Sequence, residues 1–269
     1  MSRLVRIFDP DKHSEPMRLA CFMSGSGTNI VKIIENERAE RDGSYHVVLI
    51  FTDNEDQSRC NAQKIAESHK IAVAMHDMDK FYANHGQISK RDLLLRRKYD
   101  TEVAELISPY DVDVIALGGY MSILTKPMLD RYLGRIVNVH PGDLSVRVEG
   151  RRRFVGLHAV RDAIMAGERE IFSTTHVVRE EVDNGEVLMR SQPVRVALPR
   201  GLTPKELGKT ENRTILDNLV AEHQERLKAH GDWVIFPKTL QLIGEGLFAL
   251  DGEGNSYLDE VIQPNGVRL

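Results

Sequence analysis

The chain has 269 residues, 41% hydrophobic and 28% charged, a composition typical of a folded, water-soluble protein and too apolar for general disorder. Its 36 Lys and Arg residues against 40 Asp and Glu give a net charge of −4, which argues against a dedicated nucleic-acid-binding protein. The two cysteines cannot build a disulfide framework, no Cys/His cluster has zinc spacing, and no apolar run approaches the ~20 residues of a membrane span. We therefore expect a reduced, cytoplasmic protein with no metal, nucleic-acid or membrane partner.

After a polar lead-in over residues 1–16, short apolar runs alternate with helical patterns. The predicted elements are, in order, a strand Arg18–Met23, a helix Asn29–Asn36, a strand His46–Phe51, a helix Ser58–His69, a strand Ile71–Met75, a helix Ser89–Ile107, a strand Val112–Leu117, a short helix containing Pro127 and a strand Arg135–Val139. Strands rich in branched residues and bounded by turn residues are typical of a parallel sheet covered on both faces. The alternation predicts an α/β fold with a doubly wound, mostly parallel sheet that binds ligands at the carboxyl ends of its strands.

The last third of the chain changes character. Ser173–Val178 and Glu186–Arg190 flank a turn signal at residues 183–185, which predicts an antiparallel pair. Two helices follow, Pro204–Lys228 and Trp233–Glu245, and then a small hairpin near Leu247–Leu258. The simplest interpretation is one domain with an antiparallel C-terminal extension.

A glycine-rich turn, Ser24–Asn29, lies between the first predicted strand and the first helix. Glycines allow close approach of the backbone to a ligand, and the helix N-terminus offers free N–H groups, so the turn suits a phosphate. An ordinary strand-to-helix turn capped by Ser26 or Thr28 fits the same residues. The third glycine of the dinucleotide fingerprint and the P-loop lysine are both missing, which argues against a nicotinamide cofactor.

A group of polar residues follows the last parallel strand. Alternation along that strand places Asn138 and His140 on one face, where an amide and an imidazole can stabilise an oxyanion and move a proton. Further along stand His176 and Asp183, and a carboxylate near His140 would raise the pKa of its imidazole. Taken singly, each residue also has a purely structural interpretation. His140 can simply end the strand before a proline turn, and Asp183 can simply form the corner of a hairpin.

Four motifs in this order resemble those of the folate-dependent formyltransferases, most closely the branch acting on glycinamide ribonucleotide (GAR). They are Ser24–Asn29, Gly119–Leu124, Asn138–Pro141, and His176 with Asp183 and Gly185. The resemblance runs from about residue 17 to the end of the chain. It implies a Rossmann-like formyltransferase fold in which residues 1–16 are an extension and 17–269 the formyltransferase domain. Within that domain, 17–140 would be the phosphate-binding half and 141–269 the folate-pocket and C-terminal part.

The resemblance also implies a role for individual residues. Gly27, Thr28 and Asn29 would hold the GAR phosphate, and Asn138, His140 and Asp183 would be catalytic, with His176 and Asp232 in support. The folate pocket would be lined by Arg96, Met121, Ser122, Ile123, Leu124, Arg179, Glu180, Glu181 and Val182. The ribose-binding carboxylate would be Asp232, by its distance to Phe236-Pro237, or Glu222.

The implied reaction is formyl transfer from the co-substrate 10-formyltetrahydrofolate to the primary amine of GAR, in purine biosynthesis. Asn138 and a protonated His140 would stabilise the oxyanion, and neither a metal nor a covalent intermediate is needed. A homodimer is a possible assembly. The partners would be small molecules, namely GAR or another amine and the formyl-folate.

This chain departs from the family pattern in the loop over residues 142–155, which is longer than usual and contains Arg151, Arg152 and Arg153. This basic loop fits a solvated surface or a contact with a substrate phosphate or folate glutamates. Ser122 also replaces a usual arginine. These changes leave open another acceptor amine, such as an amino sugar or methionyl-tRNA. A 10-formyltetrahydrofolate hydrolase fits less well, because it would carry an N-terminal regulatory domain. A silent binding module also fits less well, because it need not keep the catalytic trio Asn138, His140 and Asp183.

Overall fold

The computed structural model describes residues 3–40, 43–86, 90 and 92–269. In the first half, apolar runs form the strands and amphipathic segments the helices between them. These elements are β1 Val5–Arg6, β2 Met17–Met23, α1 Thr28–Ala39, β3 Tyr45–Thr52, α2 Ala62–His69, β4 Ala72–Met75, α3 Met78–Asn84, α4 Leu93–Leu106, β5 Val114–Leu117, α5 Lys126–Arg131 and β6 Ile136–His140.

The second half has shorter strands and a group of helices near the C-terminus. Its elements are β7 Arg147–Val148, β8 Arg151–Arg152, α6 Ala159–Met165, β9 Glu170–Ile171, β10 Thr174–Val177, β11 Val187–Arg190, β12 Val194–Arg195, α7 Pro204–Leu207, α8 Arg213–Leu227, α9 Trp233–Gly244, β13 Phe248–Leu250, β14 Ser256–Leu258, β15 Val261–Ile262 and β16 Val267–Arg268. None of the helices in the described part of the chain is long and apolar enough to cross a membrane.

The central sheet has the strand order β16-β11-β10-β6-β5-β2-β3-β4. Its five strands from β4 to β6 run parallel, while β10 pairs antiparallel with both β6 and β11. The predicted mostly parallel α/β sheet with an antiparallel extension is confirmed. Because chain order reverses at β2, flanked by β3 and β5, the carboxyl ends of these strands border the crevice where such sheets bind ligands.

The core lies on both faces of this sheet, as β2 illustrates. Leu19 and Cys21 face the layer that contains α1 and α9, whereas Ala20 and Phe22 face the layer that contains α3 and α4. Successive side chains of a strand point to opposite faces, so a strand covered on both sides must be apolar throughout. This is why β2 is apolar without interruption from Leu19 to Met23.

Several predicted boundaries differ from the structure. The single helix predicted over Pro204–Lys228 is wrong: α7 ends at Leu207, and α8 begins only at Arg213. The predicted helix Ser58–His69 begins at Ala62, after a turn. The short helices α3 and α6 were not predicted, because each has too few residues for a clear period. Ser89, the predicted first residue of the long charged helix, lies outside the described residues.

The N-terminal extension packs on the body of the protein. Strand β1 pairs antiparallel with β13, which also forms the predicted C-terminal hairpin with β14. Ile7 and Phe8 are buried in the same core cluster as β2 and α9. The boundary between residues 16 and 17 stays a prediction.

Candidate active site

The predicted trio comes together beside the paired strands β6 and β10. In the antiparallel register of these strands, Asn138 lies opposite His176, and the Asn138 amide nitrogen is 3.2 Å from His176 Nε2. Asp183 stands between the two imidazoles: one carboxylate oxygen is 3.4 Å from His140 Nδ1, and the other is 3.4 Å from His176 Nε2. His140, His176 and Asp183 are each less than a tenth exposed. The arrangement is a buried, mutually oriented group.

Backbone geometry sets the position of Asp183. This residue has φ +54°, in the left-handed region that side chains other than glycine rarely adopt. Two residues later, a side chain on Gly185 would place its Cβ 1.9 Å from the Val177 carbonyl oxygen, so only glycine fits. The Asp183 carboxylate also accepts a hydrogen bond of 2.7 Å from the backbone N–H of Gly156. The turn is therefore held in one conformation.

The charges in this group differ from the prediction. Burial alone would raise the pKa of Asp183, but the His176 hydrogen bond, the His140 charge and the Gly156 N–H lower it to about 2. Burial lowers the pKa of His140, and the opposing charge of Asp183 does not fully compensate. The prediction of a protonated His140 with a raised pKa is thus wrong in its net direction, because desolvation of the imidazolium outweighs the carboxylate.

Backbone carbonyl groups select the tautomers of the two histidines. His140 Nε2 lies 2.8 Å from the Phe154 carbonyl oxygen, and His176 Nδ1 lies 2.9 Å from that of Val177. Because a carbonyl oxygen can only accept, each of these nitrogens carries the proton in the neutral ring. The other two nitrogens, His140 Nδ1 and His176 Nε2, both face Asp183 and can donate to its carboxylate when they carry a proton.

The long loop after His140 folds over the site. Residues 147–148 and 151–152 form the β7–β8 hairpin, and the chain then brings Phe154 and Gly156 back to His140 and Asp183. Gly142 permits this approach, since a Cβ there would lie 2.8 Å from the Phe154 carbonyl oxygen and 2.9 Å from His140 Nε2. The sequence did not predict these two loop contacts, because both use backbone atoms. Gly142 directly after the His-Pro pair was the available signal.

The three consecutive arginines of this loop have different environments. Arg151 is exposed, and Arg153 pairs with Glu168 at 3.6 Å. Arg152 is half-buried and donates hydrogen bonds to the carbonyl oxygens of Asp183 and Gly185. The loop is therefore not a uniform basic surface.

The glycine-rich turn leads directly into α1. Gly27 is the residue before the helix, with φ +71°, and no side chain caps the helix N-terminus. A Cβ on Gly27 would lie 2.5 Å from an Ile65 methyl group and 2.6 Å from that of Met23. Capping by Ser26 or Thr28 is thus not found, and the first N–H groups of α1, at Thr28 and Asn29, suit an anion.

Asp232 lies beside this turn. It is 4% exposed, accepts a 2.5 Å hydrogen bond from Ser173 Oγ, and is also hydrogen-bonded to Asn29. Burial raises its pKa to about 6, against the effect of these two bonds. Asp232 ends a turn of π-helix, residues 228–232, that joins α8 to α9, and such turns are frequent at functional sites. The alternative carboxylate, Glu222, is exposed on α8, and Ser173 was not predicted.

The predicted folate segment has two exposed apolar residues, Met121 and Ile123, while Leu124 is buried. Ser122 donates a 2.5 Å hydrogen bond to Asp53. Arg96 lies beneath the segment, 4% exposed, and donates to the Ile123 carbonyl oxygen. The structure therefore places Arg96 as a support of this segment.

The remaining predicted folate residues follow β10. Val182 is half exposed, and Glu180 and Glu181 are exposed as well. Arg179 makes two hydrogen bonds to Glu186, of 2.7 and 2.9 Å, which occupy two of its five N–H donors. Val182 is thus the apolar member of this group beside Asp183.

The fold and this site can be compared with known proteins. The phosphoribosylglycinamide formyltransferase of Arabidopsis thaliana chloroplasts is 30% identical over 240 residues, which cover 86% of this chain and 74% of that protein. The trifunctional purine biosynthetic protein adenosine-3 of Drosophila melanogaster is 28% identical over 174 residues, which cover 65% of this chain. The chain spans between 11% and 19% of the length of such trifunctional relatives.

A solved structure and a family model agree with these relatives. The crystal structure of glycinamide ribonucleotide transformylase 1 from Symbiobacterium toebii matches with a TM-score of 0.65 and 25% identity, over 91% of this chain and 95% of that one. The model of the formyl transferase family matches residues 17–209, which include the glycine-rich turn, the trio and the long loop. The chain belongs to the formyl transferase family.

Proposed function

We propose that this protein transfers the formyl group of 10-formyltetrahydrofolate to the primary amine of GAR, a step of purine biosynthesis. The observation that carries the proposal is the meeting of Asn138, His140 and Asp183 at the carboxyl end of β6. Family membership supports the reaction class, and the relative named phosphoribosylglycinamide formyltransferase supports the acceptor.

The acceptor side of the site has chemistry suited to a nucleotide. The uncapped N-terminus of α1, at Gly27, offers backbone N–H groups and a positive dipole end to a phosphate. Asp232 is hydrogen-bonded to Asn29 on the same turn and can accept from sugar hydroxyl groups. We infer that Gly27, Thr28 and Asn29 bind the GAR phosphate and that Asp232 binds its ribose.

The donor side presents apolar groups toward solvent. Met121, Ile123 and Val182 are each at least half exposed, and large apolar side chains left exposed to solvent are typical of a site for a partly apolar ligand. We infer that they contact the folate ring system. Arg96 then acts on the folate through the Ile123 carbonyl that it holds. The other predicted folate residues, Ser122, Leu124, Arg179, Glu180 and Glu181, stay predictions.

The proposed reaction uses a neutral His140. The GAR amine attacks the formyl carbon, forming a C–N bond, and the carbonyl oxygen becomes an oxyanion that accepts a hydrogen bond from the Asn138 amide. The amine loses its proton to His140 Nδ1, and Asp183 stabilises the imidazolium at 3.4 Å. The ring returns this proton to N10 of the folate as the N10–carbon bond breaks. The products are formyl-GAR and tetrahydrofolate.

A panel of acceptors tests this function. The purified protein is mixed with 10-formyltetrahydrofolate and GAR, an amino sugar phosphate, methionyl-tRNA or no acceptor, and tetrahydrofolate release is measured. We expect release only with GAR. Equal release without an acceptor would indicate a hydrolase, release with another amine a different acceptor, and no release with any amine a binding module.

The assembly and location of the protein are further parts of the proposal. A homodimer is the assembly to be tested, and a cytoplasmic location is expected for this enzyme. Sedimentation of the purified chain tests the first, and cell fractionation tests the second.

A further inference from the structure

Arg152, on the β7–β8 hairpin, points toward the catalytic turn. Its two terminal nitrogens donate hydrogen bonds of 2.5 Å to the Asp183 carbonyl oxygen and 2.7 Å to the Gly185 carbonyl oxygen. The planar guanidinium thus spans the turn that carries the catalytic carboxylate. The rigid planar fork of a guanidinium is suited to hold two carbonyl groups in a fixed relative position.

The turn needs an external support of this kind. Asp183 has φ +54°, a conformation that persists in residues other than glycine only when the surroundings impose it. Gly156 contacts the side chain of Asp183, at 2.7 Å, while Arg152 contacts its backbone. The two contacts act on different parts of one residue, and both come from the segment that follows His140.

The position of Arg152 is electrostatically unfavourable, which indicates a role beyond surface charge. Its guanidinium is half-buried, and it lies opposite Arg147 in the hairpin register, where like charges repel. Burial lowers the pKa of Arg152, as does the charge of Arg147, while Asp183 acts in the opposite direction. Arg147 itself is exposed, and among the residues that the structure describes it donates only to the Gly150 carbonyl oxygen of its own hairpin.

We propose that Arg152 is a positioning residue of formyl transfer, which holds the backbone of Asp183 so that its carboxylate faces His140. The inference rests on the proposed function, since it concerns the same reaction. It gives the long loop a part in catalysis: the loop carries Arg152, which fixes Asp183, and Phe154, whose carbonyl fixes the His140 tautomer.

The first test compares three variants. Arg152→Met keeps the length of the side chain but removes its donors, Arg152→Lys keeps a charged donor, and Arg147→Met is the matched control on the opposite strand. We expect Arg152→Met to lower kcat about 10- to 100-fold, the range for misplacing a reacting group by about 1 Å. KM for both substrates should change less than about twofold, Arg152→Lys should be intermediate, and Arg147→Met should match the wild type.

Folding is measured on the same proteins, because a loss of folded protein would also lower the rate. Each variant is titrated with tetrahydrofolate to count binding sites, and its thermal midpoint is recorded. We expect an unchanged number of sites in Arg152→Met. A kcat that falls only in proportion to the lost sites, or a control that loses as much activity, would overturn the proposal.

A double-mutant cycle identifies the residue through which Arg152 acts. In the Asp183→Asn background, Arg152→Met should lower kcat no further, because the carboxylate that it positions is already absent. Two effects that multiply would overturn the assignment while leaving the proposed function in place. Absence of formyl transfer by the wild-type protein would instead contradict that function. The contact would then be tested by urea unfolding: Arg152→Met should lower the free energy of unfolding more than Arg147→Met does, and equal values for the two variants would overturn the contact.

Discussion

Asp183 keeps its charge in a buried site because two imidazoles and a backbone N–H face its carboxylate. His140 has the opposite balance: burial lowers its pKa, and Asp183 only partly restores it. A neutral imidazole next to an ionised carboxylate is suited to accept a proton and to stabilise the resulting cation. The environment of each residue thus sets its role in the proposed reaction.

The trio is tested by His140→Ala and Asp183→Asn. Each should lower kcat by about 10²- to 10⁴-fold, the usual contribution of general acid–base groups, because their roles belong to the transition state. The dissociation constant of tetrahydrofolate, measured by fluorescence titration, should change little. Near-wild-type kcat in either variant would show that the trio is wrongly assigned.

The pH dependence of kcat follows from the same charges. The neutral His140 ring is the active form, and its pKa lies below the ordinary 6.5, so kcat should stay constant from pH 8 to below 6.5. The rate should fall at lower pH, as the ring gains a proton. The charge of Asp183 raises the pKa of His140, whereas His176 and Arg152 lower it. A rate that falls as the pH rises would mean that the protonated ring is the active form, and a rate already halved by acidification to a pH above 6.5 would mean that the pKa of His140 is raised.

The sequence predicted the positions of side chains on regular strands better than it predicted the contacts made by loops. Strand alternation placed Asn138 and His140 on one face, and the structure agrees. The carbonyl of Phe154 could not be predicted, because it belongs to an irregular segment and every residue type has a carbonyl group. The net pKa of His140 was missed for a related reason: desolvation depends on how closely that segment covers the ring.

At the scale of elements, strand β2, the glycine-rich turn and helix α1 form one unit at the center of the sheet. The left-handed backbone at Gly27 lets α1 start immediately, without a side-chain cap over its N–H groups. Asp232, from the π-turn before α9, contacts Asn29 on the first turn of α1. The predicted phosphate and ribose sites therefore adjoin.

Two glycines of this turn allow a matched comparison. Gly27→Ala combines a positive φ with a Cβ 2.5 Å from Ile65, whereas Gly25→Ala has open space and no such φ. Shifting the start of α1 should raise KM for GAR at least about 10-fold, the effect of losing roughly 1.4 kcal/mol of phosphate binding. Gly25→Ala should retain the wild-type KM. Steady-state kinetics at saturating folate check both, and equal KM values would rule out this turn as the phosphate site.

The boundaries of helices and strands were predictable where a hydrophobic pattern extends over many residues. They were less predictable where single capping or turn residues determine the end of an element. The parallel strands and the antiparallel pair at β10 and β11 were predicted from apolar runs and a turn signal. The break between α7 and α8 was missed, although Thr203 and Glu206 form a capping box and Gly208 follows α7. Residues 208–212 are polar and contain no proline, so they were compatible with a helix that continued to residue 228.

At the scale of the whole molecule, the N-terminal segment joins the two ends of the chain. Strand β1 pairs with β13, and Phe8 is 4% exposed within the main core. The polar composition of residues 1–16 predicted an extension apart from the domain, because its five apolar residues all lie within residues 1–8 and give no extended periodic pattern. Their burial depends on the C-terminal strands, which are far away in sequence.

Phe8→Ala measures how much this packing contributes. Removing a buried phenylalanine side chain should lower the free energy of unfolding by about 3–5 kcal/mol. Leu4→Ala, at a residue that is 37% exposed, should change it by about 0.5 kcal/mol or less. Urea unfolding followed by fluorescence gives both values. Equal, small losses would mean that the segment does not stabilise the domain.

The central claim is that the site moves a formyl group from the folate to the amine of GAR. A single turnover with 10-formyltetrahydrofolate labelled with ¹³C in the formyl group tests it directly, with enzyme in excess and products identified by mass spectrometry. The label should appear in formyl-GAR with the wild-type protein and stay in the folate with Asp183→Asn. Label released as formate in the presence of GAR, or transfer by Asp183→Asn at the wild-type rate, would contradict the account.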